Sequence, residues 1–137
     1  MLKILFAYDG SPQAQKAVDC LSWWPANSLN VVLLMALRGG PALDERGKAV
    51  DCDPREKAQA EETLNQLKED LAKRGIAAVT SVVAGDPRDV IINAAKQASA
   101  DLILMGTHGR SRVGKLLLGS VAAFILAECE IPVVLCR

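Results

Sequence analysis

Residues 101–109 have the sequence DLILMGTHG, in which an apolar run is followed directly by two glycines three positions apart. The apolar run is typical of a buried strand, and glycines just past a strand end let the backbone turn tightly and approach a ligand closely. A second pair, Gly119-Ser120, precedes the apolar residues 121–127 and predicts the start of a helix. Because N–H groups at a helix start attract anions, this segment indicates a phosphate site.

The side chains between these glycines are basic. Arg110, Arg112 and Lys115 lie within residues 106–120, which contain no acidic residue, whereas the formal net charge of the whole chain is zero. A general nucleic-acid or membrane-surface binder would need an overall basic excess, so we exclude nucleic acid and membrane as partners. The local cluster suits a small anion such as a polyphosphate.

The size and composition indicate one globular domain that covers residues 1–137, because half of the 137 residues are hydrophobic. The longest apolar stretch, residues 116–127, is too short to cross a bilayer. The first residues run directly into a predicted strand, so we expect no secretory leader and a cytoplasmic location.

The four cysteines show neither a CxxC pair nor metal-like spacing, which predicts free thiols in a reducing compartment. Cys20, Cys129 and Cys136 lie in segments rich in apolar residues and are predicted to be small core residues. Cys52 lies in a polar segment, and we expect it to be the exposed and oxidisable thiol.

Strand and helix signals alternate along the chain. Apolar runs predict five strands, at residues 3–8, 30–37, 77–84, 101–105 and 131–136. Ser11, Asp53 and Asp86 each precede a proline and predict capped helix starts, whereas residues 39–52 have no clear period and are expected to be an irregular surface segment. The alternation predicts an α/β fold, with a doubly wound parallel sheet in a three-layer α/β/α sandwich.

The unusual residues follow two of the predicted strands. Asp9-Gly10-Ser11 comes after the first strand, and residues 106–109 come after the fourth. In open parallel sheets, ligands bind beyond the carboxyl ends of the strands, where the winding direction reverses. A strand order of 3-2-1-4-5 would place these two strands side by side, with Asp9 facing the glycine loop.

Together these segments resemble the universal stress protein family, in its ATP-binding branch. The resemblance covers essentially the whole chain and rests on YDGS at 8–11, AGDP at 84–87, MGTHGR at 105–110, LGSV at 118–121 and IPVV at 131–134. The branch pattern Gly-x2-Gly-x9-Gly-Ser/Thr is met in full from Gly106 to Ser120. The sequence departs from a frequent family pattern at Met35-Ala36, where His-Val is common.

The resemblance implies a Rossmann-like fold of the adenine nucleotide alpha hydrolase type, with strand order 3-2-1-4-5, ATP between strands one and four, and a homodimer. It implies that Asp9 approaches the ribose or a phosphate-bound Mg²⁺, that backbone near Ala36 contacts the adenine, and that Gly106 borders the ribose. The phosphates would be held by Gly109, Arg110, Gly119 and Ser120. The full set of residues expected at the nucleotide is Ala7, Tyr8, Asp9, Ala36, Gly106, His108, Gly109, Arg110, Gly119, Ser120 and Val121.

Several of these residues have a second interpretation. Asp9 could be only a turn residue before the Ser11 cap, and His108 could be a base, a phosphate contact or a solvated loop side chain. Ser111 and Ser120 could accept a phosphoryl group, although a helix cap or a phosphate contact is the simpler role for Ser120. Residues 109–115 match the start of a P-loop, but Leu116 stands where Ser or Thr would hold Mg²⁺, so we interpret the match as coincidence.

The predicted function is that of an ATP-binding stress-response regulator with an unidentified protein partner. We expect slow or no hydrolysis, at most a weak ATPase or autophosphorylating activity, because no water-orienting base accompanies Arg110 and Asp9. The alternative is a nucleotide-free dimeric adaptor, whereas an adenylating ligase would need more substrate-binding segments. The dimer is expected through the fifth strand, since Val133-Val134-Leu135 is too apolar for an uncovered sheet edge.

Overall fold

The computed structural model describes residues 1–39, 42–43, 46–107 and 118–137. Its strands are β1 (Leu2–Ala7), β2 (Leu29–Leu37), β3 (Ala42–Leu43), β4 (Ala49–Val50), β5 (Ala77–Ala84), β6 (Leu102–Gly106) and β7 (Val133–Cys136). Its helices are α1 (Pro12–Cys20), α2 (Pro54–Lys73), α3 (Pro87–Gln97) and α4 (Ser120–Glu128), with 3₁₀ turns at Leu21–Trp23 and Ala26–Ser28. The five predicted strands are β1, β2, β5, β6 and β7, with ends at most two residues from those expected.

The main sheet has the order β5-β2-β1-β6-β7, and each pair of neighbours is parallel. Counted over the predicted strands, this is the order 3-2-1-4-5, so that prediction is confirmed. β1 is the central strand: Ile4 is paired with Val31 of β2 on one side and with Leu102 of β6 on the other.

Helices cover both faces of the sheet, which confirms the three-layer sandwich. α1 and α2 pack on one face, where Ile4 and Phe6 lie, whereas α3 and α4 pack on the other, where Leu5 lies. These three residues of β1 are at most 1% exposed. Burial on both faces explains why the strands are almost continuously apolar.

Three helices begin at the predicted capping residues. Side-chain oxygens of Ser11, Asp53 and Asp86 accept a backbone N–H of the first turn of α1, α2 and α3, and a proline follows each cap. α4 differs, because its N-cap is Gly119 and Ser120 is its first helical residue. Of the two simpler roles considered for Ser120, the helix cap is therefore wrong, whereas the phosphate contact stays a prediction.

The expectation of an irregular segment at residues 39–52 was wrong for Ala42–Leu43 and Ala49–Val50, because these residues form β3 and β4 and pair antiparallel. A Cβ built on Gly39 would lie 3.0 Å from the carbonyl oxygen of Asp51 and 3.5 Å from the nitrogen of Gly85. The chain thus returns to the body of the domain, and Cys52 is only 9% exposed. The prediction that Cys52 is exposed was wrong. It rested on the polar residues near Cys52 in the sequence, and these do not show that the chain folds back against the domain here.

Among the residues that the structure describes, no helix combines the length and the apolar character needed to cross a membrane.

Candidate functional site

The candidate site lies where β1 and β6 end side by side. Ala7, the last residue of β1, is paired with Met105, the last residue but one of β6, whereas on its other side β2 continues for three residues beyond the partner Leu34. The chain leaves β1 toward β2 and leaves β6 toward β7, so the winding direction reverses between β1 and β6. Reversal points of this kind leave a crevice at the carboxyl ends of the strands, which is where open α/β sheets bind ligands.

Asp9 lies in the turn that joins β1 to α1. Its Oδ1 accepts the Ser11 N–H at 2.9 Å, and Gly10, with φ +77°, supplies the left-handed conformation of the turn. Ser11 Oγ in turn accepts the Ala14 N–H at 3.1 Å. The turn role considered for Asp9 is therefore present. It does not preclude a ligand role, because a carboxylate accepts several hydrogen bonds and Asp9 is only partly buried.

The two residues before Asp9 face opposite layers. Tyr8 is 8% exposed, its ring meets that of Phe6 edge-on at 5.7 Å, and its N–H donates to the Leu34 carbonyl at 2.8 Å. Ala7 instead packs with the α3 and α4 layer, as does Ala36 of β2. The crevice edge of this face therefore carries two small, partly buried alanines.

Gly106, at the end of β6, is required by the packing of α1. A Cβ at this position would lie 2.9 Å from Gln13 Cβ and 3.0 Å from the Ala14 nitrogen. The first turn of α1 thus occupies the space that any larger residue would need. This packing gives the first glycine of the motif a structural reason in addition to the expected approach of a ligand.

Thr107 is a residue of the site that the sequence did not indicate. Its N–H donates to the Cys136 carbonyl at 2.8 Å, and its own carbonyl accepts the Gly119 N–H at 2.7 Å. Thr107 is 7% exposed. The only sequence signal was a β-branched residue between two glycines at a strand end, and it does not reveal these backbone partners.

The hydrogen bond between Thr107 and Gly119 brings the start of α4 to the end of β6. The expected site residues His108, Gly109 and Arg110 lie outside the described residues, as do Ser111, Arg112 and Lys115. The Gly119–Thr107 bond places Gly119, and with it Ser120 and Val121, beside the end of β6 that Gly106 forms. Ala7 ends the neighbouring strand β1, Tyr8 follows it and is bonded to Leu34 of β2, and Ala36 lies two residues further along β2.

The start of α4 suits an anion. Its first intrahelical hydrogen bond runs from the Ala123 N–H to the Gly119 carbonyl, so the N–H groups of Ser120, Val121 and Ala122 precede the helical ladder. Within the described part of the chain, α1, α2 and α3 have a side-chain cap, whereas α4 has none. An external anion can replace the missing cap, and the positive end of the helix dipole favours it.

Comparison with known proteins agrees with the fold. The model of the universal stress protein family matches residues 1–137. The chain belongs to the universal stress protein family. A universal stress protein of Thermus aquaticus is 33% identical over 135 residues, which are 98% of this chain and 97% of that protein. One from Synechocystis is 31% identical over 135 residues, and there this chain spans 42% of the relative's length.

Solved structures of universal stress proteins share the fold. UspA from Lactobacillus plantarum has a TM-score of 0.82 at 22% identity, over 99% of this chain and 97% of that one. A universal stress protein in complex with cAMP has a TM-score of 0.70 at 23% identity, over 99% and 96%. One from Archaeoglobus fulgidus in complex with dAMP has a TM-score of 0.68 at 19% identity, over 100% and 98%.

Proposed function

We propose that this universal stress protein binds ATP, together with Mg²⁺, in the crevice between the carboxyl ends of β1 and β6. The observation that carries the proposal is the 2.7 Å hydrogen bond from Gly119 to Thr107. It sets the start of α4, which no described side chain caps, beside the end of β6, the neighbour of the strand that Asp9 follows. A crevice with an anion-binding helix start suits the phosphates of a nucleotide.

The phosphates are assigned to the start of α4 and to the glycine loop. The N–H groups of Ser120 and Val121 point out of the first turn, and the N–H of Gly119 is already used by Thr107. Gly109, Arg110 and His108 are added from the sequence pattern, which has three cations and no acid between residues 106 and 120. This local charge favours a polyphosphate over a nucleoside or a nucleoside monophosphate.

The nucleoside is assigned to the other side of the crevice. Asp9 would accept a hydrogen bond from a ribose hydroxyl or approach the Mg²⁺ that the phosphates hold. Gly106 would border the ribose. Backbone near Ala36, with Ala7 and Tyr8, would contact the adenine, since the two alanine side chains leave room on this face. The described residues contain no group of three or more metal-ligating side chains, so the metal would arrive with the phosphates.

The comparisons support adenine nucleotides as the ligand class. Two universal stress proteins with the same fold are described as complexes with cAMP and dAMP. We infer that the ligand is ATP rather than a monophosphate from Arg110, Arg112 and Lys115 of this chain.

The bound nucleotide is proposed to act as a signal rather than as a substrate. Efficient phosphoryl transfer needs a residue that orients the attacking group, and we assign that role to none of the described residues of the site. We therefore expect slow or no hydrolysis, and a turnover above about 1 s⁻¹, the low end of common enzyme rates, would contradict this. ATP binding would alter a surface that an unidentified protein partner recognises in the cytoplasm.

A homodimer through β7 completes the proposal. β7 is an edge of the main sheet, and Val133, Val134 and Leu135 are only partly buried in the single chain. An apolar edge strand invites pairing, and a two-fold contact with a second copy would cover it.

The test is isothermal titration with Mg-ATP after any carried-over nucleotide has been removed. We compare Arg110→Gln with Arg74→Gln, which removes the same charge at the C-cap of α2, near the opposite edge of the sheet. The proposal expects affinity to fall roughly tenfold in Arg110→Gln only. No binding by a well-folded wild type would overturn it and favour the nucleotide-free adaptor.

A further inference from the structure

Two cysteines that are 116 positions apart in the chain meet in the core. Cys20 is the last residue of α1, Cys136 is the last residue of β7, and their sulfur atoms lie 2.8 Å apart. Both residues are largely buried, with exposed fractions of 7% and 9%. A disulfide bond is about 2.0 Å long, so the two sulfurs would need to approach by less than about 1 Å.

The other two cysteines are separated from this pair. Cys129 packs in the layer of α3 and α4, whereas Cys20 and Cys136 belong to the core on the opposite face of the sheet. Cys52 lies just before α2, at the base of the β3–β4 hairpin. The fold therefore selects one pairing out of those that four cysteines allow.

We propose that Cys20 and Cys136 are a redox-responsive pair that closes to an intramolecular disulfide when the protein meets a small-molecule disulfide oxidant. One cysteine sulfur attacks the oxidant as a thiolate, which forms a mixed disulfide and releases one oxidant thiol. The second sulfur then displaces the other oxidant thiol and completes the protein S–S bond. Two electrons and two protons pass to the oxidant, which leaves as two thiols.

The surroundings of the two cysteines determine how fast the disulfide forms. Burial first, and then the hydrogen bond with Cys20, raise the pKa of Cys136 to about 12. Because the thiolate is the reactive form, the exchange is slow at neutral pH and faster in alkaline solution. The pair is thus a dithiol under reducing conditions and responds to sustained oxidation.

The bond would join α1 to β7 at a residue that also supports the candidate site. The Cys136 carbonyl accepts the Thr107 N–H at 2.8 Å. Formation of the disulfide does not depend on nucleotide binding, so failure of the ATP proposal leaves this inference intact.

The test counts thiols in the full chain after oxidised glutathione has been allowed to reach equilibrium at pH 8. In a Cys52→Ala/Cys129→Ala background, we expect both remaining thiols to be lost and a peptide to be cross-linked between Cys20 and Cys136. The midpoint of thermal unfolding should rise by roughly 10 °C, because the bond constrains the unfolded chain. The matched control, Cys20→Ala/Cys136→Ala, should show no such rise.

Two results would overturn the proposal. The first is that Cys20 and Cys136 remain free thiols, or carry only glutathione, at equilibrium. The second is that they are linked to other cysteines or between two chains, as mapped by peptide mass spectrometry without reductant. Thiol state and peptide cross-links can also be measured on the wild-type protein, so the test remains valid even if a variant fails to fold.

Discussion

The Gly119 N–H donates to the Thr107 carbonyl oxygen at 2.7 Å, and this bond joins the residue that follows β6 to the N-cap of α4. Thr107 is itself held by the Cys136 carbonyl of β7. Because all of these groups are backbone atoms, the start of α4 is fixed at the crevice whatever side chains stand there. The glycine at position 119 therefore has a structural partner before any ligand is considered.

Replacing Asp9 by asparagine separates its turn role from its proposed ligand role. The amide oxygen can still accept the Ser11 N–H, which now lies 2.9 Å from Oδ1, but the negative charge is lost. We expect nearly unchanged thermal stability and a roughly tenfold loss of Mg-ATP affinity by calorimetry. Asp9→Ala, which removes both roles, is the control. If Asp9→Asn binds Mg-ATP with wild-type affinity, the role of Asp9 is confined to the turn.

Substitution of Gly106 by alanine should destabilise the fold by about 1–3 kcal/mol, because the new Cβ would press on Gln13 and Ala14. Urea unfolding measures the loss. Gly75→Ala is a useful comparison: Gly75 has φ +79° but its nearest neighbour would be 3.7 Å away, so that change adds backbone strain without a close contact. A fully stable Gly106→Ala variant would show that α1 does not approach β6 so closely.

Loss of the Ser11 cap should weaken the start of α1. Ser11 is 3% exposed, and its Oγ accepts the Ala14 N–H at 3.1 Å. We expect Ser11→Ala to lower the free energy of unfolding by about 1 kcal/mol, and Ser11→Thr, which keeps an acceptor oxygen, to lower it less. Chemical denaturation of both variants measures this, and equal losses would argue against the cap.

Alkaline pH should destabilise the reduced protein through Cys136. The pKa of this thiol is raised from 9.0 to about 12 in the folded chain, chiefly by burial. Between pH 9 and 12 the unfolded chain therefore loses a proton that the folded chain keeps. The contribution of this thiol to the free energy of unfolding is complete below pH 9 and is lost as pH rises toward 12. The fall is at most about 1.4 kcal/mol per pH unit for one group, and Cys136→Ala should flatten it in denaturation curves at pH 8–11.

Val134→Lys tests the proposed dimer edge. A charged side chain in the middle of β7 should oppose pairing with a second copy, and we expect sedimentation to shift from dimer toward monomer. Val79→Lys is the matched control, because Val79 lies on the other edge strand, β5, and is 53% exposed. If Val134→Lys remains a dimer, the interface lies elsewhere.

Local signals account for what the sequence predicted well. Ser11, Asp53 and Asp86 cap their helices as expected, since a side-chain oxygen followed by proline acts within one turn. Apolar runs located the strands because both faces of the sheet are covered. The strand order is not a local property, and it followed from the family resemblance before the structure confirmed it.

Long-range contacts account for what the sequence could not predict. Cys52 is buried because the chain folds back beside Gly39, and the polar residues next to Cys52 in the sequence give no sign of this contact. Cys20 and Cys136 meet only because α1 packs against β7. Gly106 was attributed to a ligand, but the close approach of α1 already requires it.

The central place of β1 in the sheet also shapes how the protein is made. Lys3 and Asp101 exchange hydrogen bonds although they are 98 positions apart, and β6 follows directly after Asp101. At about 5–20 residues per second, translation leaves the first strand without its second neighbour for roughly 5–20 s. During that time one edge of a strand containing Ile4, Leu5 and Phe6 is open on the ribosome. An unpaired apolar strand edge is prone to aggregation, so folding of this chain becomes safe only once β6 has emerged and paired with β1.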